Sequence, residues 1–279
     1  MIKAVFSDID GTLLNSKHQI TSETKNAIRK VVARNIPFVL VSARMPSGIF
    51  FLQQELNIYA PVICYSGALI LGGNREILHS ICLSKRSIKG IYDIVADQYP
   101  SISFNLYGHD KWIVDSTQNP WVIQEAEIIN GSPIQRVLHS YIDEDHDTHK
   151  ILCMGNPEDI ERLAQQIKKE VTGINIYKSK GTYLEIMDEM VSKSYAIQEL
   201  EGIFDCTYRE TMAIGDNYND MDMIVYAGLG IAMGNAPDEV KKIADRITLS
   251  NDEDGLKIEL DKLTDSIFIP DSGGLSALE

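Results

Sequence analysis

The feature that most limits what this chain can fold into is a series of short, nearly all-apolar stretches that alternate with helical patterns. Residues 3–7 read as a strand running directly into Asp8-Ile9-Asp10-Gly11-Thr12-Leu13, and Thr21 or Ser22 caps a helix reaching Asn35. Residues 36–42 form a second apolar strand, Pro46 starts a helix to Leu56, and residues 61–65 give a third strand. Strands that are apolar on both faces need helices over both, which is the arrangement of a parallel sheet. The expected fold class is therefore α/β, with a doubly wound, Rossmann-like parallel-sheet core.

The texture changes after Leu83. Residues 84–98 read as a helix, 101–107 and 111–115 as a hairpin through Gly108-His109-Asp110, and 150–154 as a strand before a helix over 157–171. Two more strands, 174–177 and 183–187, are separated by residues 178–182. The alternation then resumes, with strands at 211–214, 228–232 and 246–248 between helices that start near Ser194, Asn219, Pro237 and Asp254. Residues 1–82 plus 189–279 are thus expected to form one core that encloses an inserted α+β domain at 83–188. Asn130-Gly131-Ser132 reads as a turn, and residues 269–279 as a turn-rich, frayed end.

With 26 basic against 40 acidic side chains the net charge is −14, which argues against nucleic acid or an anionic membrane as the main partner. The four cysteines, Cys64, Cys82, Cys153 and Cys206, form no C-x-x-C pair and are expected to be buried free thiols. No apolar run approaches the roughly 18 residues of a membrane span, and no secretory leader is legible, so a cytoplasmic protein is expected.

Asp8 and Asp10 alternate along extended chain and can face one cleft, at the strand edge where open α/β sheets place ligands. Gly215-Asp216-Asn217-Tyr218-Asn219-Asp220 follows another strand. Two acidic strand ends in one sheet suit a hard cation such as Mg²⁺. A calcium loop of the EF-hand kind is excluded, because Tyr218 and Met221 stand at its third and sixth positions counted from Asp216. Ser42 offers a hydroxyl at a strand end, and Lys193 brings a positive charge to a helix start where backbone N–H groups converge.

This ordered set resembles the haloacid dehalogenase superfamily of phosphatases, and within it the Cof-type group with a large α/β cap between the second and third motifs. Asp8 to Leu13 looks like the first motif, Ser42 the second, Lys193 the third, and Gly215 to Asp220 the fourth. Ile231 to Ala236 and Asn251 to Gly255 are similar to the group's C-terminal signatures. The resemblance implies that Asp8 is the nucleophile and that Asp10 protonates the leaving alcohol and then activates water. It implies that Mg²⁺ is held by Asp8, the Asp10 backbone carbonyl and Asp216, with Asp220 behind them. Ser42, Ala43, Lys193 and Asn219 would then contact the phosphoryl group, supported by Asn217 and Arg44.

Some positions depart from the group's usual pattern. Ser42-Ala43-Arg44 replaces Thr-Gly-Arg, Ser66-Gly67-Ala68 replaces Asn-Gly-Ala, Ser194 follows Lys193 where Gly is common, and Asp188-Glu189-Met190 replaces a Pro-x-Gly turn. None removes a catalytic group. The expected activity is Mg²⁺-dependent hydrolysis of small phosphorylated metabolites, such as sugar phosphates or phosphorylated cofactors, by a monomer or small homo-oligomer. The alternatives are a phosphotransferase such as a phosphomutase on the same core, or a non-catalytic phosphometabolite-binding protein.

Among the remaining features, the charge run Asp143 to His149 reads as a solvated loop in preference to a second metal site. His18 and His109 read as incidental, Lys178 to Tyr183 as a turn that could meet the leaving group, and Trp112 and Trp121 as interior of the inserted domain.

Overall fold

The computed structural model describes residues 1–129 and 131–265; Asn130 and the end of the chain, both read above from sequence, lie outside them. In chain order the elements begin with β1 (Ala4–Asp8), α1 (Ser22–Val32), β2 (Phe38–Val41), α2 (Pro46–Leu56), β3 (Val62–Cys64), β4 (Leu69–Leu71) and β5 (Ile77–Ser80). Next come α3 (Lys85–Gln98), β6 (Ser103–Gly108), β7 (Lys111–Val114), α4 (Pro120–Ile129), β8 (Ile134–Gln135) and α5 (Leu138–Asp143). They are followed by β9 (Lys150–Met154), α6 (Pro157–Glu170), β10 (Ile174–Lys180), β11 (Tyr183–Asp188) and α7 (Lys193–Glu201). The last are β12 (Thr211–Gly215), α8 (Met221–Tyr226), β13 (Leu229–Ala232), α9 (Asp238–Ile243), β14 (Arg246–Ile247) and α10 (Gly255–Asp265).

The chain divides into two compact units, one of residues 1–39 with the described residues from 201 on, the other of residues 40–200. In the first unit the parallel strand order is β14-β13-β12-β1, with Ala4 opposite Thr211 and Ser7 opposite Ile214. All five residues of β1 are buried, as a strand covered on both faces requires. Thr21 caps α1 by accepting the Thr24 N–H at 3.1 Å, and Thr24, Ala27, Ile28 and Val31 form its buried face. That cap is tied to the start of α10, because Thr21 Oγ1 donates to Asp254 Oδ1 at 2.6 Å.

In the second unit Leu40 pairs with Val62 in parallel, so the α/β pattern continues into β2 and β3. β3, β4 and β5 then form an antiparallel meander that the apolar pattern did not announce. The other sheet of this unit has six strands in the order β10-β11-β9-β6-β7-β8, all lying within residues 83–188. One of its faces, including Phe104, Leu106, Ile151, Cys153, Leu184 and Ile186, packs against α3 and α6. Each such fully buried aliphatic or aromatic side chain contributes about 1.5–3 kcal/mol. Alternation turns Asn105, Tyr107, Lys150 and Glu185 to the opposite face, where they are also buried.

Residues 178–182 are not all a loop. β10 runs on to Lys180 through a bulge after Tyr177, leaving Gly181 and Thr182 as the hairpin connection. Lys178 pairs with Glu161 and the Lys180 ammonium lies over the Tyr183 ring, so a polar sequence is held extended by its neighbours.

Candidate active site

β1 ends at Asp8 and β12 ends at Gly215, and these strands are parallel neighbours, so both acidic loops leave the same edge of the first unit. Carboxylate oxygens of Asp8, Asp216 and Asp220 lie within 4.8 Å of one another, with Asp8 and Asp220 buried and Asp216 half-buried. Charges so placed repel by on the order of 3 kcal/mol per pair at an effective dielectric near 20. Oxygen-only donors at this spacing fit a hard divalent cation.

Neutral donors bond two of the three carboxylates. Asp220 Oδ2 accepts the N–H groups of Asp216 at 3.0 Å and Asn217 at 2.9 Å. Thr12 Oγ1 donates to Asp216 Oδ1 at 3.0 Å, and Asn235 Nδ2 donates to the Gly11 carbonyl at 2.9 Å and to Asp216 Oδ2 at 3.3 Å. Asn251 N–H donates in turn to Asn235 Oδ1 at 3.0 Å. Thr12, Asn235 and Asn251 had no assigned role in the sequence. Their partners are remote in the chain, 204 residues away for Thr12, and no local spacing signals that.

Gly11 adopts φ +88°, and a Cβ there would sit 2.3 Å from Asp216 Oδ2. The first loop can pass the second carboxylate only because it lacks a side chain at this position. Asn217 Oδ1 accepts the Tyr218 N–H at 2.8 Å and opens a single 3₁₀ turn, Tyr218–Asp220, which holds the half-buried Asn219. The helix expected from Asn219 therefore begins at Met221, because this cap sets a tighter turn first. Asp10 is exposed and stands outside the acidic triad, and its residue forms an isolated bridge with Leu14.

The second unit holds Ser42, Ala43, Arg44 and Lys193. Ser42 N–H donates to the Ile63 carbonyl at 2.9 Å, and Ser66 N–H donates to the Ser42 carbonyl at 2.9 Å. The Arg44 N–H donates to Ser42 Oγ at 3.2 Å, so the hydroxyl oxygen is fixed by its own turn. Tyr65 and Ser66 both take positive φ, 50° and 54°, ahead of Gly67 at 113°. A Cβ on Gly67 would lie 2.3 Å from the Ser192 carbonyl, so this turn presses against the residue preceding Lys193. Lys193 is 1% exposed at the first position of α7, which excludes a plain surface lysine.

The charge run does not stay in solvent along its whole length. Asp145, His146 and Asp147 are exposed, but Thr148 and His149 are buried. His149 Nδ1 accepts the His109 N–H at 3.2 Å, Nε2 lies 3.0 Å from Ser80 Oγ, and the ring stacks on Tyr65. Burial, helped by the neighbouring His109, pushes its pKa down to about 4. His109 also bonds Asp147 at 2.9 Å, His18 is exposed, Trp112 is buried, and Trp121 is half-buried. Tyr183 is buried with its hydroxyl donating to Glu125 at 2.7 Å. All four cysteines are free, but only Cys64 and Cys153 are buried, and burial holds their thiols well above the ordinary thiol range; Cys82 and Cys206 are half-buried. Among the described residues no helix is long and apolar enough to cross a membrane.

Comparison with known proteins gives this geometry a context. The family model for haloacid dehalogenase-like hydrolases matches residues 5–260. A putative phosphatase of Haemophilus influenzae is 36% identical over 264 residues, covering 94% of this chain and 98% of the relative. A Bacillus subtilis protein named 5-amino-6-(5-phospho-D-ribitylamino)uracil phosphatase YwtE is 26% identical over 285 residues, covering 94% of this chain and 98% of its own. The crystal structure of a haloacid dehalogenase-like hydrolase from Bacteroides thetaiotaomicron superposes with a TM-score of 0.86 at 29% identity, covering 94% of this chain and 100% of that one.

Proposed function

Because the chain belongs to the haloacid dehalogenase-like hydrolase family, we propose that it hydrolyses phosphate monoesters of small metabolites with Mg²⁺, by way of a phosphoryl group carried on Asp8. The observation that carries this reading is the convergence of the Asp8, Asp216 and Asp220 carboxylates at adjacent parallel strand ends.

Asp8 attacks phosphorus through a carboxylate oxygen as the ester oxygen departs, which replaces one difficult displacement by two easier ones. Asp10, exposed and outside the triad, protonates the departing oxygen and then takes a proton from the water that cleaves the aspartyl-phosphate. Ser42, the Ala43 backbone, Lys193 and Asn219 bind phosphoryl oxygens, with Arg44 adding positive charge and Asn217 shaping the turn that carries Asn219. Asp8, Asp216 and the Asp10 carbonyl would hold Mg²⁺, and Asp220 orients the Asp216 backbone. When bound, the cation neutralises charge where carboxylate and phosphate meet.

Residues 83–188 serve in this reading as a cap that selects the leaving group. The named activity of the ribitylaminouracil phosphatase, a phosphorylated polyol attached to a ring, supports a small metabolite as substrate. The protein acts in the cytoplasm as a monomer or small homo-oligomer. Asp8→Asn tests the proposal: it should abolish Mg²⁺-dependent release of phosphate from a generic aryl phosphate, and wild-type turnover by that variant would sink the mechanism.

A further inference from the structure

Lys150, on β9, is 7% exposed, and its ammonium has two polar partners, Glu185 Oε2 at 3.2 Å and the Ala43 carbonyl at 2.9 Å. The ammonium also stands 5.7 Å from the centre of the Tyr65 ring and 5.0 Å from that of Tyr107, so two aromatic faces flank the charge. Burying an ammonium is costly unless geometry and hydrogen bonding compensate. Glu185 alone would neutralise the charge. The bond to Ala43 is a separate contact that a purely internal ion pair does not require.

The Ala43 carbonyl and the Arg44 N–H belong to one planar peptide and point in opposite directions from it. Lys150 grips the carbonyl end, and the N–H end donates to Ser42 Oγ at 3.2 Å. Rotating this peptide breaks both bonds together. With Oγ accepting from Arg44, the hydroxyl proton of Ser42 is directed elsewhere, toward an acceptor such as a phosphoryl oxygen. The rest of the turn is held by backbone bonds: Ser42 N–H to Ile63, Ser66 N–H to Ser42, and Tyr65 N–H to the Arg44 carbonyl at 3.2 Å.

We propose that Lys150 is a positioning residue for phosphate binding, locking the Ala43–Arg44 peptide so that Ser42 donates its hydroxyl to the phosphoryl group. The inference rests on the proposed phosphate-binding role of Ser42. It makes a side chain of the six-stranded sheet part of the support for the anion turn, so phosphate affinity depends on a residue that does not touch phosphate.

Three variants test it: Lys150→Met, Glu185→Gln, and the double variant Lys150→Met with Glu185→Leu, which removes both charges and strands neither. Binding of inorganic phosphate in the presence of Mg²⁺ is measured calorimetrically, beside kcat, KM and the Mg²⁺ half-saturation for an aryl phosphate. Lys150→Met and the double variant should bind phosphate about ten-fold more weakly and show a matching rise in KM. Their Mg²⁺ half-saturation should stay at the wild-type value. Glu185→Gln, which keeps the bond to Ala43, should stay within about two-fold of wild type. A general loss of folded protein would lower kcat and leave KM and phosphate affinity unchanged. Wild-type phosphate affinity in the double variant, or an equal loss in Glu185→Gln and Lys150→Met, overturns the proposal. If the wild type itself turns over no ester, the hydrolytic reading fails, and calorimetry with phosphate still decides the role of Lys150.

Discussion

Asp220 Oδ2 accepts the backbone N–H of Asp216 at 3.0 Å, so one carboxylate of the acidic triad sets the backbone that carries another. The same oxygen takes the Asn217 N–H at 2.9 Å. Asp220→Ala leaves two buried or half-buried donors without their acceptor and is expected to destabilise the protein by about 2–4 kcal/mol. It should also weaken Mg²⁺ binding by about 10–100-fold. Urea midpoints and a Mg²⁺ titration measure the two effects; a folded variant with unchanged Mg²⁺ affinity would show that Asp216 is oriented by other means.

Three carboxylates held within 4.8 Å should make stability depend on divalent cations. At Mg²⁺ concentrations about 100 times the dissociation constant, metal-stripped protein is expected to gain about 2.7 kcal/mol, seen as a rise in Tm. Asp216→Asn should remove most of that rise. An equal rise in this variant would place the cation elsewhere.

Gly67→Ala puts a methyl group 2.3 Å from the Ser192 carbonyl, at a φ of +113° that side chains avoid. The expected cost is about 2 kcal/mol or more. Because Ser192 immediately precedes Lys193, the surviving folded fraction should also show a raised KM for an aryl phosphate. A cost without any change in KM would mean that the Ser192 backbone yields without moving Lys193.

His149 should make stability fall in acid. Burial first, and then His109, lower its pKa from 6.5 to about 4 in the folded protein. Below pH 6.5 the unfolded chain therefore binds a proton that the folded state refuses until about pH 4, and unfolding gains ground as pH drops through that window. The loss is expected to reach about 3 kcal/mol. His149→Asn keeps an acceptor for the His109 N–H but cannot titrate, and should flatten the urea midpoint between pH 6.5 and 4. An unaltered slope would assign the acid sensitivity to other groups.

Much of the architecture was legible where a local rule acts alone. Continuous apolar runs placed β1, β2 and β3 within two residues, and Pro46, Thr21, Ser84 and Pro157 each mark a helix start seen in the structure. α4 escaped because its apolar residues do not gather on one face: Ile123 and Ile128 are exposed while Val122 is buried. α5 has only six residues, too few for a period to show. The β4–β5 meander carries half of its pairing on an exposed strand, so alternation was weak there as well. In the acidic loops the carboxylates themselves stood out, since they sit directly after strands. Thr12 and Asn235 did not, because their partners arrive only through tertiary folding. His149 looked solvated for the same reason: Tyr65 and Ser80, which bury it, are distant in sequence.

Donors to Asp216 and Asp220 include a threonine hydroxyl, an asparagine carboxamide and main-chain amides of the same unit. None of these donors titrates in the ordinary pH range, so the frame around the two carboxylates presents the same N–H and O–H groups in mild acid and in mild base.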